Sequence, residues 1–149
     1  MNVRRTPCLL LLFLITASAC TPLAPLPSNL PQEQLTLALY YTHGTTPRLP
    51  LVGAFLRDEI HSDQADLGLM LVSGQRFARC RYKAGIVRCE TPHVRLANFI
   101  AQCVAATLAQ HSGSRATSDV LAIVQHDTDG YTCERGAHRL DIRFMPTRD

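Results

Sequence analysis

Residues 50–60, PLVGAFLRDEI, carry the reading on which the fold class turns. Pro50 suits the first position of a helix, because the N–H it lacks is one that a helix start leaves unpaired anyway. Leu51, Val52, Phe55, Leu56 and Ile60 then recur at helical spacing, and only Gly53 weighs against them. Taken as a helix, this stretch gives a domain with two helices rather than one.

The neighbouring segments read as strands. Leu35, Leu37 and Leu39 alternate with Thr36, Ala38 and Tyr40, the period of two expected where one face is buried. Residues 43–50, HGTTPRLP, form a loop, and residues 67–72 form a short apolar strand that stops at Ser73-Gly74, a turn signal. Residues 77–90, FARCRYKAGIVRCE, resemble a hairpin with Ala84-Gly85 near its tip. A two-residue loop there sets Cys80 opposite Cys89, where a cross-strand bridge is geometrically natural; a three-residue loop with Gly85 in the left-handed position shifts the register by one.

The strongest periodic element spans residues 91–113. Thr91 can cap a helix whose first residue is Pro92, and Gly113 can stop it. Ala97, Ile100, Ala101, Val104 and Leu108 share one face, with Leu96, Phe99 and Cys103 on its flank and Arg95, Asn98, Gln102 and Ala109 turned outward. The last third reads as a meander. It runs through residues 120–125, an Asp127-Thr-Asp-Gly130 turn, residues 131–134, and Leu140, Ile142 and Phe144 alternating with Arg139, Asp141 and Arg143.

The resulting order is β-α-β-β-β-α-β-β-β. It predicts an α+β fold: a mainly antiparallel sheet with two helices packed on one face. Four cysteines allow three connectivities. The hairpin register favours Cys80 with Cys89, which leaves Cys103 with Cys133 to staple the second helix to the sheet.

The N-terminus has a different character. Arg4 and Arg5 precede an eight-residue apolar core, residues 8–15, which ends at small residues. That core is far short of the about 20 residues a membrane-spanning helix needs, and it fits a secretory leader. Ala17-Ser18-Ala19-Cys20 resembles the lipobox of bacterial lipoprotein precursors, although Ala17 stands where that family most often has Leu. The resemblance covers about the first 20 residues and implies removal of residues 1–19, a diacylglycerol on the Cys20 thiol, and a membrane anchor. Thr21 rather than Asp follows the cysteine, which in that family implies the outer membrane, facing the periplasm.

Cysteine arithmetic points the same way. Of six cysteines, Cys8 leaves with the leader and five remain. Lipidation of Cys20 reduces these to Cys80, Cys89, Cys103 and Cys133, an even set for an oxidising compartment. Behind Cys20, residues 20–34 hold Pro22, Pro25, Pro27 and Pro31, and form an extended tether with a reach of roughly 40 Å. Residues 35–149 are then one globular domain by length.

Composition removes several function classes. The net charge of +3 includes Arg4 and Arg5, and no Lys/Arg run survives in the body, so a nucleic-acid footprint is missing. His43, His61, His93, His111, His126 and His138 show no metal-motif spacing, and no serine lies in a nucleophile-elbow motif. Neither a cofactor nor a metal is expected. Asp127-Thr-Asp-Gly130 resembles a fragment of a calcium loop but lacks its remaining ligands.

What remains is the hairpin. Arg79, Arg81 and Lys83 share strand parity beside Tyr82, which makes these four residues a candidate partner-binding surface. The expected function is a non-catalytic envelope lipoprotein, a binding or assembly accessory module for a protein partner in a secretion, conjugation or other envelope complex. The alternative is a periplasmic or surface inhibitor or hydrolase with its site near His43, His61 and Asp66.

Overall fold

A computed structural model describes residues 34–113 and 121–146. The leader, Cys20, nearly all of the proline tether and the start of the strand expected at residue 120 lie outside the described residues. Within them the chain forms β1 (Leu35–His43), β2 (Leu49–Arg57), β3 (Gln64–Leu71), β4 (Arg76–Lys83), β5 (Ile86–Glu90), α1 (Val94–His111), β6 (Ala122–Gln125), β7 (Gly130–Arg135) and β8 (His138–Met145). All eight strands join one antiparallel sheet in the order β5-β4-β3-β2-β1-β8-β7-β6.

The expected two-helix α+β arrangement is therefore corrected to a single sheet with a single helix. The stretch at residues 50–60 is not helical; most of it is strand β2. Leu51, Gly53, Phe55 and Arg57 face inward and are buried, while Pro50, Val52, Ala54 and Leu56 lie on the other face. Both faces are apolar there, so a period of two is invisible in the sequence and the helical period fits equally well. Two neighbours decide the matter: β2 pairs with β1 from Leu35↔Phe55 to Tyr41↔Leu49 and with β3 from Leu51↔Leu71 to Arg57↔Ala65. Ile60, which a helix would have turned inward, is 86% exposed in the β2–β3 connection, where the Asp58 carboxylate accepts the N–H groups of Ile60 and His61.

Gly53 has a packing role. A Cβ added there would lie 3.1 Å from Leu39 Cδ1, 3.4 Å from Leu37 Cβ and 3.5 Å from Leu67 Cδ1. All three leucines are fully buried in the core cluster, so an added methyl would have to displace packed side chains.

Helix α1 begins at Val94, two residues later than expected, because Thr91 is used differently. Its hydroxyl donates to the Phe77 carbonyl of β4 and accepts the His93 N–H, so it ties the entry segment to the sheet rather than capping the first turn. The His93 ring stacks on Phe77 with centroids 5.5 Å apart. At the other end Gly113 has φ +79°, and its N–H returns to the Gln110 carbonyl, a helix stop that favours glycine.

The inward face of α1 contains the residues expected there, but burial does not stop at that face. Every residue from Cys103 to Ala109 is buried, including Ala109, which the periodicity turned outward. The topology explains this. The chain leaves the sheet at edge strand β5 and re-enters at the opposite edge, β6, and α1 packs against β4 and β5 at one end and β7 and β8 at the other. Eighteen helical residues span about 27 Å, whereas eight flat strands would place their outer members roughly 34 Å apart, so a curled sheet fits the helix better than a flat one.

Alanines at 97, 101, 105 and 109 repeat every four residues and let the helix backbone come close to the strands. The Tyr82 hydroxyl of β4 donates to the Ala101 carbonyl at 2.5 Å, and Cys80 Sγ lies 3.9 Å from the Ala97 carbonyl.

Two disulfides reinforce this frame. Cys80 joins Cys89 across β4 and β5, and Cys103 of α1 joins Cys133 of β7, the pairing that the hairpin register favoured. On chain-entropy grounds the two closed loops contribute about 3 and 4 kcal/mol. The hairpin tip is the two-residue loop, with Ala84 at φ 50° and Gly85 at φ 73°.

Two substitutions test this account by urea denaturation of the oxidised protein. Gly53→Ala should lower stability by about 1 kcal/mol, because the added methyl overpacks a filled core. Ala84→Gly should raise it by about 0.5–1 kcal/mol, since a left-handed alanine carries a steric cost that glycine lacks.

Candidate functional site

Strand parity sorts β4 into two sets. Ala78, Cys80 and Tyr82 point at the helix and are buried, while Arg79, Arg81 and Lys83 stand exposed on the opposite, open face. Tyr82 is thereby removed from the expected partner surface: it is 2% exposed, and its hydroxyl is spent on the Ala101 carbonyl. Its phenol is pushed far above the usual tyrosine range by burial. The even-numbered position puts it on the wrong side of the sheet for a ligand that touches the three cations.

The type of hairpin adds a fourth cation. Register pairs Arg81 with Arg88, Arg79 with Glu90 and Lys83 with Ile86, so Arg88 lies directly across from Arg81 on the open face. Asp66 of β3 sits opposite Arg81 in the next ladder, with its carboxylate 3.0 Å from Arg81 Nε and 3.5 Å from an Arg79 terminal nitrogen. Among the described residues, neither Lys83 nor Arg88 has an ion-pair partner. These side chains, with Ala84, Ile86, Cys89 and Glu90, line a shallow depression of about 650 Å³. Four cations against Asp66 and Glu90 leave it positive, and like charges directly opposite on a sheet repel. The Cys80–Cys89 bridge holds this arrangement in place.

His43, His61 and Asp66 are not brought together. His43 ends β1, where β2 begins, and His61 lies in the connection beyond the other end of β2. A strand of nine residues separates these ends by about 27 Å. His61 stands 3.4 Å from Asp58, whose carboxyl is held below the usual range by the backbone N–H groups of His61 and Ile60. Asp66 is occupied by arginines.

Two polar clusters escaped the sequence because their members lie far apart in it. In the first, the β1–β8 ladder sets His43 opposite His138, with ring centroids 4.6 Å apart. His138 Nδ1 is 2.7 Å from the Tyr41 hydroxyl, and its ring packs on Phe99 of α1. Burial pushes His138 below the usual histidine range, and the charges of His43 and Arg135 add to that.

In the second cluster, the Thr132 hydroxyl donates to Asp141 at 2.8 Å and lies 2.6 Å from His126 Nε2, while Arg48 and Arg139 approach Asp141 at 3.1 and 3.2 Å. Burial pushes the Asp141 carboxyl up, but the bonds from Thr132 and Arg139 outweigh it and hold the group below the usual range. A carboxylate so neutralised is a poor base, and Thr132 is only 4% exposed, so this set braces β7 against β8 instead of presenting a nucleophile. Nearby, Asp127 accepts the Asp129 N–H and pairs with Arg143, which makes the Asp/Gly run the β6–β7 turn.

Among the described residues no three His, Cys, Asp or Glu side chains gather as metal ligands, and no helix is long and apolar enough to cross a membrane. No known protein family matches the chain, and no curated protein matches it in sequence.

The His138 environment gives a pH prediction. A histidine whose folded value is depressed binds its proton better unfolded, so the stability it confers is complete above pH ~6.5 and is lost as the pH falls below that. Urea midpoints should drop more between pH 7.5 and 5.5 for the wild type than for His138→Gln. Equal drops would assign the acid sensitivity to other groups.

Proposed function

We propose that the protein is a lipid-anchored envelope lipoprotein whose domain is a non-catalytic binding module, and that the β4–β5 hairpin docks an acidic protein partner. The observation that carries this reading is the set of four cations, Arg79, Arg81, Lys83 and Arg88, on one face of a disulfide-pinned ribbon, two of them without a carboxylate partner. The bridge fixes the backbone that carries these groups, so no loop has to be ordered when an acidic surface arrives. Arginine is also favoured at protein interfaces, where its planar fork takes carboxylates two-pronged.

The anchor half of the proposal rests on the lipobox-like Ala17-Ser18-Ala19-Cys20 and the prolines that follow it. It is supported by the use of the other cysteines: Cys80, Cys89, Cys103 and Cys133 close two bridges, which leaves Cys20 without a partner among them. A lipid there, with roughly 40 Å of proline-rich tether, would hold the domain off the membrane, and Thr21 favours the periplasmic leaflet of the outer membrane. The alternative, an inhibitor or hydrolase with its site near His43, His61 and Asp66, draws no support from the placement of His43 and His61 at opposite ends of β2.

Two independent experiments test the halves. Cells fed radioactive palmitate should label the wild-type chain and not Cys20→Ser; an unlabelled wild type refutes the anchor. Crosslinking in native envelopes should capture an acidic protein, with yield cut at least tenfold by Lys83→Glu combined with Arg88→Glu. Those positions have no ion pair to break, so the unfolding free energy should stay within about 0.5 kcal/mol of wild type. An unchanged crosslink pattern would refute docking through the hairpin.

A further inference from the structure

Among the described residues strand β5 ends the sheet and pairs with β4 alone, so one of its two edges takes no strand from them. The hairpin tip fixes which groups that edge presents. Positive φ at both Ala84 and Gly85 is the signature of a two-residue type I′ turn, in which the flanking pair, Lys83 and Ile86, exchanges both backbone hydrogen bonds. Counting back by twos, Arg81/Arg88 and Arg79/Glu90 are also bonded pairs, whereas Tyr82/Val87 and Cys80/Cys89 are not. The Cα atoms of Cys80 and Cys89 are 4.0 Å apart, the short separation that belongs to a non-bonded pair.

It follows that the N–H and C=O of Val87 and Cys89 point away from β4. Among the described residues no further backbone hydrogen bond takes them up. They repeat at the two-residue interval at which an added strand offers its own donors and acceptors. Between them Arg88 projects on the open face, with Lys83 diagonal to it and Arg81 across from it.

We propose that β5 receives an extended acidic segment of the partner, which adds to the sheet beside it and places acidic side chains on the open face beside Arg88 and beside Ile86, where Lys83 is across the ladder, but not beside Glu90, which shares that face. This rests on the reading of the hairpin as the docking site and specifies how the partner is held: the backbone ladder supplies affinity, and alternate carboxylates meeting Arg88 and Lys83 supply selection. Charge decides between occupants. A second copy pairing β5 with β5 would set Arg88 against its own counterpart in a register centred there and opposite Glu90 in one centred on Cys89. Either register brings together two hairpins that each hold four cations against Asp66 and Glu90, a net repulsion of the kind that keeps sheet edges from self-pairing. The opposite edge, β6, has the sequence AIVQ and no charge with which to select a partner. The Cys80–Cys89 bridge keeps a five-residue edge strand from fraying before the partner arrives.

The test uses the full chain in detergent and labelled seven-residue peptides read by fluorescence anisotropy. A peptide alternating glutamate with valine should bind at least tenfold more tightly than an isomer with its glutamates in one block. Methylating the backbone nitrogens of alternate residues gives two further peptides. One should lose at least tenfold in affinity and the other should not, because only one set of N–H groups faces β5. Val87→Pro removes an outward N–H without touching the β4 ladder, and should weaken the alternating peptide to the same degree. Should that variant fail to fold, the methylated pair on the wild-type chain carries the test. If both methylated peptides bind like the parent, the ligand is held by charge on the open face, and strand addition is overturned while the cationic docking site stands. If no acidic peptide binds, strand addition is overturned as well, and the envelope crosslinks then judge the docking site separately.

Discussion

The helix that crosses from one edge of the sheet to the other is the constraint on which the rest depends. The five-strand meander leaves the chain at β5, and the only way back to β8, the other neighbour of β1, passes over the sheet through α1 and enters at β6. A single helix must therefore cover the inward face of eight strands. It does so with nearly every residue of its second half buried and with small side chains at 97, 101, 105 and 109 that let the strands come close. One staple binds β7 to this helix and the other ties together the two strands at its far end, β4 and β5. Tyr82 adds a third connection through its hydroxyl, which donates to a carbonyl of α1.

That arrangement spends one face of the sheet completely and leaves the other without a covering layer among the described residues. Alternation then assigns side chains to the open face by parity alone. On β2 this yields Pro50, Val52, Ala54 and Leu56, on β1 Thr36, Ala38, Tyr40 and Thr42, and on β4 and β5 Arg79, Arg81, Lys83 and Arg88 together with Ile86 and Glu90. The cationic ribbon is thus a product of register. A slip of one residue would bury the cations and expose Cys80 and Tyr82, and the bridge together with the type I′ tip excludes it. Elsewhere on the sheet the polar groups meet local partners: Asp141 is held by Thr132, Arg48 and Arg139, His43 lies against His138, and Asp66 pairs with Arg79 and Arg81.

Several parts of this were legible in the residues themselves. The leucine alternation in β1, the hairpin with its Ala84-Gly85 tip, the apolar stripe of α1 and the glycine that ends it are local patterns whose chemistry acts within a few residues. Parity within β4 already grouped Arg79, Arg81 and Lys83. The same parity excluded Tyr82, a conclusion that adjacency in the sequence obscured. Arg88 was harder to find, because its place opposite Arg81 needs the turn length as well as the strand.

Other features had no local signature. Residues 50–60 satisfy helical and strand periods alike because both faces of β2 are apolar, and what makes them a strand is the pair of ladders offered by β1 and β3. The outward burial of Ala109 and the meeting of His43 with His138 depend on which edges and strands become neighbours. By itself the sequence determined turns, periods, parity and the cysteines that fall opposite one another, since these follow from the geometry of adjacent residues. The tertiary structure alone decided that the described residues hold one helix, that its second half is buried almost all round, and which face of the sheet they leave open. Those outcomes depend on hydrogen-bonding partners and covering layers contributed by distant parts of the chain.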